Sequence, residues 1–431
     1  MRSPIAALST ALEARIGRSA DPPSVWPVSV GALVSHAAIV ALLVLVVTGV
    51  ALAVPYRPSV EVVIYRGSSA LYDAQALPAA FASVVRISED LPGGLLLRRL
   101  HVAAAHLLAI AVIAHMLRTL ATGAFRRPRL ATHLTGVGLL LVVLGFFYTG
   151  ELLPFGLVAG SSLRIAEAVV GALPFVGEEL VGLLFAGELP SQRFLTLAWV
   201  GHAYLLPAAL VGLLGVHLVQ VHRRRPSLPP RHDVDVAVTA SGRPLWPDAV
   251  ARFALLTTGL TAVLLLSSAI VPWSDLELEG PFLTAEATNT VHPPWPLFFL
   301  TGGLRVVPAI DVVVGGARIT NVLVAGVLLP GVLITALAAY PFIERAVIGE
   351  PGRPHVRQRL LDVPFRAVAV SVMTTFAVVL TLSAGVDVLS FWFPVPVEAV
   401  VVTFRVLLVV APFVAGGAAW WAANRRQGRA T

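Results

Sequence analysis

RRLHVAAAHLLAIAVIAHMLRTL, residues 98–120, is an apolar stretch long enough to cross a bilayer, and it carries histidines at 101, 106 and 115. Membrane interiors rarely keep an ionisable group without a use for it. On a helix, fourteen residues turn about 1400°, ~40° short of four turns, and advance ~21 Å. His101 and His115 therefore share one face at opposite depths, while His106, ~140° round from His101, points elsewhere. A second run, HAYLLPAALVGLLGVH (202–217), spaces its histidines by fifteen, which leaves them ~60° and ~22 Å apart. If the two helices run parallel, His101 meets His202 and His115 meets His217. Each pair can then clamp one haem iron through two axial imidazoles, as facing helices do in bundle cores. The competing reading is four hydrogen-bonded structural histidines, the ordinary role of a single buried imidazole; two pairs at matched depths favour the metal. His36 stands alone in the first apolar stretch.

The rest of the chain fits a membrane setting. It is 57% hydrophobic and 13% charged, with a mean hydropathy of +0.84, more apolar surface than any soluble core needs. Eight spans are predicted, near 31–54, 100–122, 133–153, 196–221, 249–271, 319–341, 366–386 and 398–421. No cleavable signal peptide is evident before the first of them. All 31 basic residues are Arg. With the N-terminus inside, 21 of them fall on inner segments and nine on outer ones, so the positive-inside rule puts both termini in the cytoplasm of a multi-pass plasma-membrane protein. His101 and His202 then lie near the outer face and His115 and His217 near the inner one.

The +7 net charge is explained by lipid contact and topology rather than by nucleic acid. With no cysteine, the chain can form no disulfide, no iron–sulfur cluster and no thioether to haem, so any haem is held noncovalently. Long segments at 55–99, 154–195 and 272–318 are expected outside, with surface helices at 163–186 and 295–305 lying over the bundle. The polar, Pro-rich segment 223–248 divides the chain into a four-span unit (1–222) and a second four-span unit (249–424).

These features resemble cytochrome b, the membrane subunit of quinol-oxidising cytochrome bc complexes, over residues 24–421. YPFIERAVIGEP (340–351) and RQRLLDVPFRAVAVSVMTTFAVVLTLSAGVDVL (357–389) look most like the branch in high-GC Gram-positive bacteria, and TGVALAVPYRPSV (48–60) resembles the family's end of the first span. The resemblance implies an all-α membrane fold of eight transmembrane helices, with an N-terminal four-helix di-haem bundle followed by a four-helix C-terminal domain. It implies two noncovalent haem b groups on the four histidines. Arg98 takes the place of an arginine that contacts a propionate of the outer haem, and Pro207 that of a proline in the fourth span. Gly49, Gly136 and Gly150, with Ser35 in place of a fourth glycine, match small residues that let the haem planes lie against the backbone. The plain alternative is that glycine is common wherever membrane helices touch.

The quinone sites depart from the family pattern. GELLPF (150–155) resembles the outer-site GYVLPW, and HPPWPLFF (292–299) sits where the family has Pro-Glu-Trp-Tyr. Pro294 stands in place of that glutamate, Trp295 keeps the aromatic residue, and Pro296 replaces the tyrosine. Quinol oxidation releases two protons, so a nearby acceptor matters. Glu151 stands where GYVLPW has its tyrosine and is the expected replacement, the alternative being a solvated loop acid. Pro293, Pro294 and Pro296 each fix φ and lack an amide donor, which stiffens the segment. At the inner face His222, five residues after His217, matches a quinone-contacting histidine, although it also sits beside Arg223, Arg224 and Arg225 as an interfacial histidine would. The family's Lys-Asp pair at the start of the fifth span is Arg252-Phe253 here, and the arginine expected five residues before His202 is Leu197, with Arg193 close by.

The leading expectation is a di-haem electron carrier of a quinol:cytochrome c oxidoreductase. Its implied partners are a Rieske iron–sulfur subunit and a cytochrome c subunit, its quinone menaquinone, and its assembly a homodimer. A non-bifurcating, quinone-linked haem relay is the second reading. A haem-free transporter with broken helices is the third.

Overall fold

The computed structural model describes residues 25–26, 30–186, 191–224, 227, 243–244, 250–273, 280–283, 293–350 and 356–428. Most of the 223–248 segment, both chain ends and parts of the 272–318 loop lie outside the described residues. Among the described residues eight helices are long and apolar enough to cross a membrane, as expected where lipid cannot satisfy backbone groups and each span must bond internally. They are α1 (Val30–Ala53), α3 (Gly94–Thr122), α4 (Leu130–Leu152), α7 (Gln192–Arg224), α8 (Val250–Ile270), α10 (Asn321–Ile348), α11 (Pro364–Trp392) and α12 (Val397–Gln427).

Helix ends follow local chemistry. Gly93 and Gly123, both at positive φ, flank α3. The Ser191 hydroxyl accepts from the Phe194 amide to start α7, and Thr320 does the same for Leu323 at the start of α10.

Short elements cover one end of the bundle. A hairpin, β1 (Val62–Ile64) against β2 (Ala76–Pro78), leads into α2 (Ala79–Glu89), and Tyr65, Tyr72, Leu77 and Phe81 form a small apolar core beneath them. Burial pushes the Asp90 carboxyl up, but the Ser68 amide and Tyr65 hydroxyl that donate to it reverse this and hold it below its usual range. The surface-helical segment expected at 163–186 forms two helices, α5 (Leu157–Gly171) and α6 (Gly177–Phe185), separated by a turn in which Phe175 takes a positive φ. The segment at 295–305 is a 3-10 turn (Trp295–Leu297) running into α9 (Phe298–Val306). A second hairpin, β3 (Asp311–Val314) with β4 (Ala317–Thr320), follows it.

α1 lies along α3, α4 along α7, and α11 along α12. The two halves meet beside the α3–α4 connection. The His133 Nε2–H donates to the Leu337 carbonyl at 2.9 Å, and Phe125 packs edge-on against both His133 and Tyr340. Arg366 is fully buried and donates from Nε to Glu344 at 2.9 Å, while the Tyr340 hydroxyl donates to the same carboxylate. Gly123 makes room for this pair. At φ +62°, a Cβ there would lie 2.5 Å from the Arg366 guanidinium.

Candidate functional site

Two helices, α3 and α7, carry the four spaced histidines. The rings of His101 on α3 and His202 on α7 face each other with centroids 6.4 Å apart and planes at 60°. Two imidazoles bonded about 2 Å from one shared metal ion, with ring centres ~1.1 Å beyond the bonded nitrogens, sit about 6 Å apart. At the other end, His115 on α3 lies within electrostatic reach of His217 on α7.

α7 solves its register problem locally. The chain forms one π-turn at Gly201–Leu205, closed by the Leu206 amide donating to the Gly201 carbonyl. Pro207 has no amide proton to continue a regular ladder at this point, and a π-turn accommodates one extra residue. The fifteen-residue spacing on α7 thereby behaves like the fourteen on α3, replacing the ~60° offset expected of an uninterrupted helix with the same ~40° offset that α3 has.

Each imidazole is held by a hydroxyl from a neighbouring helix. Thr48 on α1 lies 2.8 Å from His101 Nδ1, and Ser35 on α1 lies 3.1 Å from His115 Nδ1. Thr149 on α4 lies 3.0 Å from His202 Nδ1, and Thr135 on α4 lies 2.9 Å from His217 Nδ1. The donor direction can be assigned for three of them. Thr48, Thr135 and Thr149 each spend their single proton on a carbonyl of their own helix, those of Val44, Thr132 and Gly145. They must therefore accept from the imidazole. Nδ1 carries the proton and Nε2 presents a lone pair, the form a histidine takes as a metal ligand with its outer nitrogen anchored.

The glycines serve the same rings. A Cβ at Gly49 would come 3.3 Å from His101 Cε1, at Gly150 2.8 Å from His202 Cε1, and at Gly136 3.7 Å from His217 Cε1. At Gly150, and less tightly at Gly49, glycine thus lets the backbone approach the imidazole closely enough for the preceding threonine to reach Nδ1, whereas a Cβ at Gly136 would make only ordinary contact. The three threonines went unremarked in the sequence, although a signal was present: each stands immediately before its glycine, as Thr48-Gly49, Thr135-Gly136 and Thr149-Gly150. Bis-imidazole spacing, anchored Nδ1 atoms and a backbone cleared of Cβ atoms together fit haem.

The other candidates are spread around this centre. Arg98 is buried on the first turns of α3 and donates to the Ser88 hydroxyl at 3.0 Å. Glu151 is half-buried near the end of α4. Pro294 precedes the 3-10 turn, and Trp295 packs with Phe147, Tyr148, Leu297 and Leu300. His222 is exposed near the far end of α7. His36 is not isolated: it is buried, with its ring 5.2 Å from Phe253 on α8. His106 does turn away from the His101 face, toward Phe147, Trp273 and Trp295.

Comparison with known proteins identifies the family. Residues 106–277 match the family described as cytochrome b (N-terminal)/b6/petB. The chain is 31% identical over 393 residues to the cytochrome bc1 complex cytochrome b subunit of Corynebacterium diphtheriae, covering 90% of this chain and 72% of the relative. It is 33% identical over 384 residues to the Streptomyces coelicolor subunit of the same description, covering 86% and 68%. The fold matches a chain of a solved hyperthermophilic respiratory Complex III with a TM-score of 0.69 over 98% of this chain and 99% of that one, at 17% identity. At 31% and 33% identity over at least two thirds of each chain, these relatives show that the chain belongs to the cytochrome b subunits of cytochrome bc1 complexes.

Proposed function

We propose that the chain carries two noncovalent haem b groups and moves electrons across the membrane for a quinol:cytochrome c oxidoreductase. His101 and His202 hold the outer haem and His115 and His217 the inner one, with Arg98 near an outer propionate and Ser35, Gly49, Gly136 and Gly150 clearing the planes. The observation that carries this reading is the His101–His202 pair with ring centroids 6.4 Å apart, each ring tied at Nδ1. Haem in these positions supplies one-electron carriers at two depths. The chain's own residues orient the ligands, exclude water and place the proton-handling groups.

Quinol is oxidised at the outer face, beside Glu151, Pro294 and Trp295, with Glu151 accepting a proton. Quinone is reduced at the inner face beside His222. Menaquinone as the quinone, a Rieske iron–sulfur subunit and a cytochrome c subunit as partners, a homodimeric assembly, cytoplasmic termini and a division into 1–222, 223–248 and 249–424 complete the proposal. Pro294 in place of a carboxylate favours one alternative, a relay that does not split its electrons.

Two experiments test the reading. A pyridine haemochrome assay on the purified complex should find two haem b per chain, and His202→Ala should leave one; a chain without haem b overturns the proposal. Oxidant-induced reduction of haem in the presence of an inner-site inhibitor should appear with split electron paths, and its absence would favour the relay.

A further inference from the structure

His106 is an ionisable side chain within a membrane span that the haem site leaves unused. Its Nδ1–H donates to the Val102 carbonyl at 2.8 Å, since a carbonyl can only accept, so Nε2 of the neutral ring bears the lone pair. Three aromatic rings enclose it: Phe147 edge-on at 5.7 Å, Trp273 at 5.2 Å and Trp295 at 6.5 Å. The indole Nε1–H of Trp273 is buried and has no hydrogen-bond partner among the described residues. Buried tryptophan N–H groups usually find one, and an unmet donor in a membrane interior is costly. A lone-pair acceptor and an unmet donor on adjacent rings are complementary to a neutral hydroxyl group, which donates once and accepts at the same oxygen.

We propose that His106 and Trp273 receive one hydroxyl of the quinol at the outer site, and that His106 is a proton acceptor for its oxidation. Trp295, the aromatic residue of the outer segment, forms one wall, and the neighbouring Pro294 offers no side-chain base. Trp273 Nε1–H donates to the quinol oxygen while His106 Nε2 accepts the hydroxyl proton. That O–H bond breaks and an N–H bond forms, and a haem held by His101 and His202 would take one of the two electrons of the quinol. The second proton leaves through Glu151, and the second electron goes to a one-electron iron–sulfur acceptor, so the quinol gives up two protons and two electrons. The groups facing His106 from its neighbours are aromatic. The titratable groups on those elements are Tyr148, Glu151 and, toward the other end, His133 on α4, with Arg252 at the start of α8; its own helix carries Arg98, Arg99 and His101 nearer the outer surface and His115 and Arg118 nearer the inner one.

This assignment rests on the quinol-oxidising reading, so the test separates the two. In the membrane-embedded complex, haem content is measured and the initial rate of haem reduction by added menadiol is followed against pH. Wild type should reduce haem faster as pH rises and the imidazole becomes neutral. His106→Gln, close in size, should keep its haem but lose that limb of the profile and slow by roughly a hundred-fold, the scale of a lost general base. Trp273→Phe should mainly raise the KM for menadiol. If His106→Gln retains the wild-type rate and pH limb with haem intact, the proposal is overturned and the pair holds only water. Failure of menadiol to reduce haem in wild type would instead sink the broader reading.

Discussion

At the level of single side chains, the hydroxyl partners of the imidazoles matter as much as the imidazoles. A hydroxyl accepting from Nδ1–H makes the ring a stronger donor through Nε2, which favours the oxidised metal. Thr149→Val removes one such contact from His202 alone. A neutral hydrogen bond is worth about 1 kcal/mol, and for a single electron that corresponds to ~40 mV on the scale where tenfold is 59 mV. The midpoint potential of the outer haem should therefore rise by tens of millivolts while the inner one stays put, and a redox titration of the two b haems checks it. Equal movement of both, or of neither, would show that Thr149 does not address a single ligand. The histidines were legible because charge-bearing residues are conspicuous in apolar runs. The threonines were not, because a threonine in a membrane helix ordinarily bonds back to its own turn, as Thr48 also does with Val44, and only the tertiary structure reveals the second contact.

Elements impose their own constraint through register. α3 places its two histidines with an uninterrupted helix, whereas α7 has the π-turn at Gly201–Leu205 next to Pro207. Periodicity located both helices and their ligand faces, but straight-helix geometry leaves the α7 pair ~60° out of line. A bulge cannot be seen in a hydrophobicity pattern, and the proline alone does not say whether a helix kinks or widens. Inserting one alanine between Leu210 and Val211, inside the regular part of α7, would rotate His217 by ~100° relative to His202 and shift it by ~1.5 Å. Only one of the two ligands can then keep its place. The purified variant should hold one haem per chain, where substitution of the surface-facing Val211 by alanine should leave two; retention of both haems after the insertion would mean that α7 has slack the π-turn does not account for.

For the molecule as a whole, the question is what keeps the histidine-bearing helices fixed against the C-terminal half. The contact runs through Arg366, Glu344 and Tyr340, packed under Gly123 and Phe125 at the base of α3. Glu344 and Arg366 are visible in the sequence as charges beside apolar runs, yet nothing in their 22-residue separation says that they pair, or that Gly123 from the other half closes over them. Two charges taken out of water are costly, and their attraction repays that cost only while both partners are present. Glu344→Gln leaves a fully buried guanidinium without its carboxylate and should cost about 3–5 kcal/mol. The double replacement Glu344→Leu with Arg366→Met removes both charges at similar bulk and should recover most of that loss. Thermal unfolding of the detergent-solubilised complex, followed by loss of the haem Soret band, distinguishes the cases: the single variant should melt well below wild type and the double variant close to it. If the double variant melts as early as the single one, the ion pair itself, rather than the avoidance of a lone buried charge, is what stabilises the surface that Gly123 and Phe125 pack against.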